Sequence, residues 1–331
     1  MITDDNTNPT SIARSHPLLY HYTNQAGLKG IIESNALWAT YFEHMNDAHE
    51  IREARVPLVN EVARRLVPFF RELRQKGGGK GTPADDQRSA ELYAEKWASA
   101  LYDIVFPRVE EKRTSWCCIA SFCSHAKDQR YEQTNGLLSQ WRAYGRDGYC
   151  LVFDTAKLSQ QLGHEGSLFM GFHTSLYAAH YPLDGVPPVQ SFIELIKASL
   201  DVIKRAARGN TDPPVDDLWL PFIAVATAYK HRGFFEEREV RLVTFPATKL
   251  ASQKMKDVKG YKAAPLREAF TTDRNGKKVV RIALFGEKSD ALPIQRIIVG
   301  PSASQTENAT FACKLVGSKI PVTKSATPFV G

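Results

Sequence analysis

Glu237-Arg238-Glu239-Val240-Arg241-Leu242-Val243 places two carboxylates at the mouth of an apolar run. In an extended strand alternate side chains share a face. Glu237, Glu239 and Arg241 are therefore expected on one side, with Val240 and Leu242 on the other. Like charges side by side lose a few tenths to about 1 kcal/mol. A fixed carboxylate that meets developing positive charge in a dry pocket is worth ~3–4 kcal/mol. The second energy outweighs the first, which favours a chemical role wherever a pocket exists. The structural alternative is an ion pair of Glu237 or Glu239 with Arg241 or Lys230 on a surface sheet.

Upstream, Leu18-Leu19-Tyr20-His21-Tyr22-Thr23 is a short apolar run ending in hydrogen-bonding groups. Leu18 to His21 reads as a strand in which His21 and Thr23 share a face. Thr23 or Asn24 then caps a helix with Leu28, Ile31 and Ile32 along one stripe, ended by Ser34-Asn35. Ala36 to Tyr41 reads as a second strand. From Asp47 a helical pattern runs through Ile51, Ala54, Leu58, Val62 and Leu66, with a kink or break expected at Pro57 and Pro68. Gly77 to Gly81 reads as a loop and Gln87 to Val105 as a helix. Further strands are expected over Ser115 to Phe122, Gly148 to Phe153, Glu239 to Thr244, Ile294 to Val299 and Pro321 to Lys324. Helices are expected over Leu137 to Tyr144, 189–208, 216–230 and from Gln305. Arg267 to Thr272 and Lys277 to Phe285 form a hairpin around Asn275-Gly276, a composition suited to a type I′ turn. Helices and strands mix without regular alternation, which argues α+β. The organisation expected is a polar, flexible tail over 1–17 and one α+β domain over 18–331. A helical insertion falls at about 47–110 and a basic hairpin insertion at about 246–285.

The 331 residues are 43% hydrophobic, enough for a full core. No apolar run reaches the ~18 residues that span a bilayer, and Met1-Ile-Thr-Asp-Asp-Asn6 has no signal-peptide pattern. The five cysteines are odd in number and include no CxxC, so a reduced, cytoplasmic protein is expected. Between Pro246 and Arg281 ten basic residues face three acids, which accounts for the whole net charge of +7. Such a field attracts polyanions. Lys254, Lys256, Lys259, Lys277 and Lys278, with Arg241, are the substrate-contact candidates, against the alternative of a solvated basic loop.

His44-Met-Asn46-Asp47-Ala-His49-Glu50 is dense in metal-ligand types, but supporting ligands are missing and a capping box explains it better. No metal is expected there. Trp141 and Tyr144 stand at i, i+3 on a short helix, either as core packing or as an aromatic wall for a flat heterocycle, with Gly145 and Gly148 allowing close approach.

Taken together and in order, these elements resemble the bacterial domain-of-unknown-function family twenty-nine seventy-one. The resemblance rests on Leu19-Tyr-His21-Tyr-Thr23, Asn46-Asp47-Ala with Glu50, Trp141 with Tyr144-Gly145, Gly148 to Phe153, Glu237-Arg-Glu239-Val-Arg241 and Ile297-Ile-Val-Gly300. It spans about 18–325; Ala48 stands where a Pro is usual and Val240 where an aromatic is usual. That family in turn resembles, more faintly, the ADP-ribosyltransferase fold, through His21, Thr23, Gly30-Ile31-Ile32 and Glu239-Val240. The resemblance implies split mixed and antiparallel sheets flanked by helices, with NAD as co-substrate. His21 would grip a ribose hydroxyl and Thr23 the nicotinamide side. Glu239 would stabilise the oxocarbenium-like sugar and Glu237 would handle the acceptor. Tyr22, Tyr41, Asn46, Ser121, Trp141 and Tyr144 are the further NAD-contact candidates, with Tyr41 and Ser121 competing for the middle motif. The acceptor implied is a macromolecule, nucleic acid ahead of protein, in a toxin or antiviral effector. Two rivals stand beside this: a non-catalytic NAD or ADP-ribose sensor, and a nuclease-like protein holding a divalent ion on Asp47, Glu50, Glu237 and Glu239.

Overall fold

The computed structural model describes residues 9–45, 55–77, 82–105, 115–144, 147–181, 190–207, 216–256, 264–274, 276–287 and 289–328. It is α+β, with one mixed and one antiparallel sheet. The chain divides into two compact units. One comprises Met1–Thr7, Met45–Arg113 and Ala179–Phe234; the other comprises Asn8–His44, Thr114–Ala178 and Phe235–Gly331.

The second unit holds both sheets. The mixed sheet joins β1 (Leu18–Thr23), β4 (Tyr149–Asp154), β9 (Ile294–Val299) and β10 (Val322–Lys324) in the order β1-β4-β9-β10. In this sheet β9 and β10 run parallel and the other pairs antiparallel. Tyr149 to Phe153 are fully buried because neighbouring strands and helices cover both faces of β4. The antiparallel sheet joins β2 (Ala36–Tyr41), β3 (Cys118–Phe122), β5 (Gly171–Ala178), β6 (Val240–Pro246), β7 (Ala269–Arg274) and β8 (Lys277–Phe285) in the order β5-β6-β3-β2-β8-β7. Every residue of β6 is buried. Among the described residues the two sheets are bridged where Tyr20 and Cys123 exchange backbone hydrogen bonds of 2.9 and 2.8 Å.

The helix Gln25–Ser34 starts where Asn24 accepts from the Gly27 amide at 2.8 Å. It stops at Asn35, in the left-handed region at φ 50°, whose side chain accepts from the Leu292 amide and donates to the carbonyls of Gly286 and Asp290. In the first unit the helices Arg55–Lys76 and Pro83–Val105 pack together, tied by Arg74–Asp86 (2.5 Å) and Arg55–Asp103 (3.3 Å).

Several expectations change. Pro9–Ser15, expected within a flexible tail, is a helix anchored by the fully buried Ile12. The helix Arg55–Lys76 runs on through Pro68 without a break. The buried stripe of Leu58, Val62 and Leu66 offsets the bond lost at Pro68. The helix Thr155–Leu168 and strand β5 lie where the sequence pattern shows no element. Gly276 has φ 77° and donates to Asp273 at 2.9 Å, as a tight hairpin turn requires. Asn275, on which the turn type also depends, lies outside the described residues, as do Asn46 to Ala54 and Lys259.

Candidate functional site

Strand β6 does not begin at the glutamates. Glu237 closes the 3-10 turn Arg232–Glu237, Arg238 adopts φ 42°, and the strand starts at Val240. Alternation therefore holds for Glu239 and Arg241 but does not reach Glu237. The left-handed Arg238 turns the chain between the two acids, so the expected row of three side chains is a row of two. The strained residue is held through its carbonyl, which accepts from the Ser124 amide at 3.1 Å and the Ser124 hydroxyl at 3.0 Å.

Glu239 and Arg241 form an ion pair at 3.0 Å, with side chains 4% and 2% exposed. The pairing foreseen as a structural alternative exists, in the interior instead of on a surface. Arg241, expected to touch substrate, points its charge at Glu239. Breaking one member of such a pair costs far more than replacing both. Lys230, the other partner considered, belongs to the other unit, where its ammonium lies 4.8 Å from the Phe234 ring centroid.

Register locates His21 relative to Glu239. Ser121 faces Arg241 and Phe122 faces Val240 across the β3–β6 ladder. Continuing that ladder puts Cys123 opposite Glu239, and Cys123 in turn pairs with Tyr20. The backbones of Tyr20 and Glu239 are thus two strand spacings apart, ~10 Å. Opposed residues share a face, so Tyr20, Cys123, Glu239, Arg241 and the Ser121 side chain lie on one side. His21 alternates to the other side with Leu19 and Thr23, its ring 5.5 Å from that of Phe122. The two residues expected to line one cleft leave the joined strands on opposite faces. What reaches between them is the main chain: His21 Nδ1 lies 3.1 Å from the Ser121 carbonyl oxygen. Burial lowers the His21 pKa below its usual value, partly opposed by that contact.

Tyr22 and Trp141 belong to a buried cluster with Tyr20, Cys123, Cys150, Val152 and Ile298. The Tyr22 and Trp141 rings meet edge to face at 4.7 Å, and the Trp141 indole donates to the Asn135 carbonyl at 2.9 Å. Tyr144 is 39% exposed, so the two helix aromatics do not form a common wall. Tyr41 and Ser121 are separated by the sheet. Tyr41 pairs with Cys118 and faces away from Arg241, so Ser121 is the middle-motif candidate on the face of Glu239.

The basic segment is not one surface. Arg267 is internal, bonded to the buried Glu165 and stacked 3.9 Å from the Phe169 centroid. Lys254 and Lys256 are exposed at the end of the helix Lys249–Met255. Lys277 and Lys278 are exposed on opposite faces of the sheet edge, because they are adjacent in β8. A cavity of about 110 Å³ lies near Glu165, His173, Thr174, Thr244 and Arg267, at the far end of β6, and includes none of the expected NAD contacts.

A cluster around Arg238 has no sequence signal. His16 and His125 are both near it, Ser124 Oγ lies 3.5 Å from His16 Nδ1, and the His125 ring meets Tyr20 at 4.4 Å. Burial first and Arg238 second bring both imidazoles down to a pKa of about 4. The residues meet only because β1 bridges the segment after β3, more than a hundred positions away. Among the described residues no three His, Cys, Asp or Glu side chains are grouped to hold a metal, and no helix is long and apolar enough to cross a membrane.

No curated protein and no solved structure matches the chain. A family model does, over a segment from the Trp141 helix to the second residue after Val240. The His21 and Asn46 motifs fall outside it, whereas Trp141, Gly148 to Phe153 and Glu237 to Arg241 fall within. Residues 140–242 match the family described as Protein of unknown function (DUF2971), and the family resemblance read from the sequence stands on that segment.

Proposed function

We propose that the protein is an NAD-dependent ADP-ribosyltransferase in which Glu239 supports the reacting sugar. The carrying observation is the buried Glu239–Arg241 pair at 3.0 Å, set beside the junction where β1, β3 and β6 meet. Cleavage of the nicotinamide–ribose bond sends its electrons to the leaving nicotinamide and develops positive charge at the sugar carbon. A carboxylate already fixed by a guanidinium needs no reorganisation to meet that charge. Glu237, half-buried in the preceding turn, would take the proton from an acceptor hydroxyl or amine that reaches round the Arg238 turn. His21 enters through its contact with the Ser121 carbonyl, on the far side of the strands, as a group that sets the junction.

A second reading is favoured by that same placement. With His21 and Glu239 on opposite faces, the junction fits a sensor that binds NAD or ADP-ribose without turning it over. One experiment separates the two: incubation with NAD, reading bound nucleotide by calorimetry and released nicotinamide by chromatography. Release with incorporation of label into RNA, DNA or protein supports the transferase. Binding without release supports the sensor. Neither binding nor release overturns both.

A further inference from the structure

The antiparallel sheet ends on one side at β7, which among the described residues pairs with β8 alone. Edges of native sheets are usually blunted by shortness, bulges, proline or charge. The other edge strands follow that rule. Strand β5 has a register shift between Gly171 and His173, β10 is three residues long, and β1 is bridged to Cys123. Strand β7 runs six residues against β8 without a shift. It holds no proline, its centre is the good strand former Phe270-Thr271-Thr272, and its charges stand at one end, at Asp273 and Arg274. Ala269, Thr271 and Asp273 are exposed.

The hairpin sets the hydrogen-bond phase of this edge. Arg274 and Lys277 face each other across a two-residue turn, so they form a hydrogen-bonded pair. Alternation then turns the backbone groups of Thr272 and Phe270 toward β8 and those of Asp273, Thr271 and Ala269 outward. A second contact agrees. The amide of Val280, opposite Thr271, donates at 2.9 Å to His44 Nδ1, which follows β2 on the other side of β8. Among the described residues the outward amides and carbonyls of Ala269, Thr271 and Asp273 have no backbone partner. Such a row is a template for another strand.

We infer that β7 pairs with β7 of a second copy of this chain, antiparallel about a two-fold axis at Thr271, which joins two sheets into one. A two-fold contact needs a self-complementary edge. With Thr271 facing the partner's Thr271, Ala269 faces the partner's Asp273. All three outward residues then meet outward residues, and about six backbone hydrogen bonds form. A shift of two residues either way leaves Thr271 paired only with Asp273 or only with Ala269, and a shift of four sets Asp273 against its own copy. The same register puts Glu268, exposed just ahead of the strand, opposite the partner's Arg274, in the row that also holds Lys277. This happens once at each end of the contact. It needs no vacancy at Arg274, because a guanidinium carries five donors. An unrelated extended segment would use the backbone row but has no reason to carry matching signs at both ends. One short strand against another buries less than a standard interface, so the dimer is weak, with Kd ~1–100 µM. The inference concerns quaternary structure and is independent of the NAD reading.

The test is sedimentation velocity of the full chain at low salt, over a concentration series that brackets this range. The sedimenting mass is expected to rise with concentration to twice that of the chain. Thr271→Pro removes the central outward amide from each copy and spares the hairpin, because proline is tolerated on the open side of an edge strand. It is expected to weaken dimerisation by about 5- to 100-fold, the worth of two backbone hydrogen bonds. Thr271→Lys sets like charges face to face on the axis, so it is expected to weaken the dimer at low salt and to recover partly in high salt. Thr271 is exposed, so this variant keeps the test open if circular dichroism shows Thr271→Pro unfolded. Glu268→Arg and Arg274→Glu are each expected to weaken the dimer, and the two together to restore it, as this register requires. A chain that stays monomeric throughout, a dimer untouched by the folded Thr271 variants, or a charge exchange without recovery would overturn the assignment.

Discussion

Glu239→Gln removes the charge from one member of a pair separated by 3.0 Å and almost wholly buried. The amide is nearly isosteric, so packing is preserved, but Arg241 loses the counter-charge that Glu239 supplies. Breaking such a pair costs about 3–5 kcal/mol. Whole domains have only about 5–15 kcal/mol of stability, so the single variant stands near unfolding and its loss of activity alone would be ambiguous. The informative protein is the double variant Glu239→Gln with Arg241→Met, in which no charge is stranded and a side chain of similar length fills the space. Replacing both members of a buried pair is roughly neutral. Urea denaturation is therefore expected to show a large fall in midpoint for Glu239→Gln, and near recovery in the double variant. Nicotinamide release should remain at least about 100-fold below wild type in both, since one oriented charge-stabilising group is worth ~3–4 kcal/mol. A double variant that is stable and releases nicotinamide at the wild-type rate would reduce Glu239 to a structural role and refute the mechanism. A loss below about 1 kcal/mol in Glu239→Gln would match an exposed pair and contradict the burial on which the reasoning depends.

Gly136 has φ 77°, and a Cβ there would come within 2.6 Å of the Trp141 ring, so Gly136→Ala should destabilise by at least about 2 kcal/mol in thermal melts. Gly276 has the same φ with open space around it, so Gly276→Ala should lose only about 1 kcal/mol, which isolates the backbone cost from the clash. His16 and His125, held neutral by burial and Arg238, bind protons more readily in the unfolded chain, whose ordinary value is 6.5. Their contribution is complete above that value and is lost as pH falls from 6.5 toward about 4. Urea midpoints should be level above neutrality and decline through that window, less steeply in His125→Asn; a flat profile would show that the imidazoles are solvated.

Local signals carry much of the fold. Ala36–Tyr41, Lys277–Phe285 and Ile294–Val299 are legible in the sequence with the bounds they have, because short runs of β-branched and aromatic residues lie between turn-formers. The helix Thr155–Leu168 is hard to see there because Gly163 and Gly166 weaken its pattern, and its position comes from packing Leu158 and Leu162 against the sheet. Strand β5 has little apolar alternation of its own and exists by pairing with β6, including the Thr174–Thr244 hydroxyl contact at 2.8 Å. The candidate site is half legible. Alternation identifies Glu239 and Arg241 as neighbours on one face, but the turn at Arg238 that removes Glu237 from that face is set by Ser124, far away in the chain.

The sequence alone establishes that the chain is a mixed α+β protein, where most of its strands lie, and that Glu239 and Arg241 share a face at the mouth of an apolar run. These follow from hydrophobic periodicity and turn chemistry, which act over a few residues. Tertiary structure decided which faces those residues share. It put Tyr20 rather than His21 on the side of Glu239, moved Trp141 into the core, buried Arg267 against Glu165 and left Trp38 open at the sheet edge. The physical reason is that strand alternation has a period of two, so a one-residue choice of register between distant segments reverses every side chain. That choice is made by long-range pairing, which no local pattern encodes.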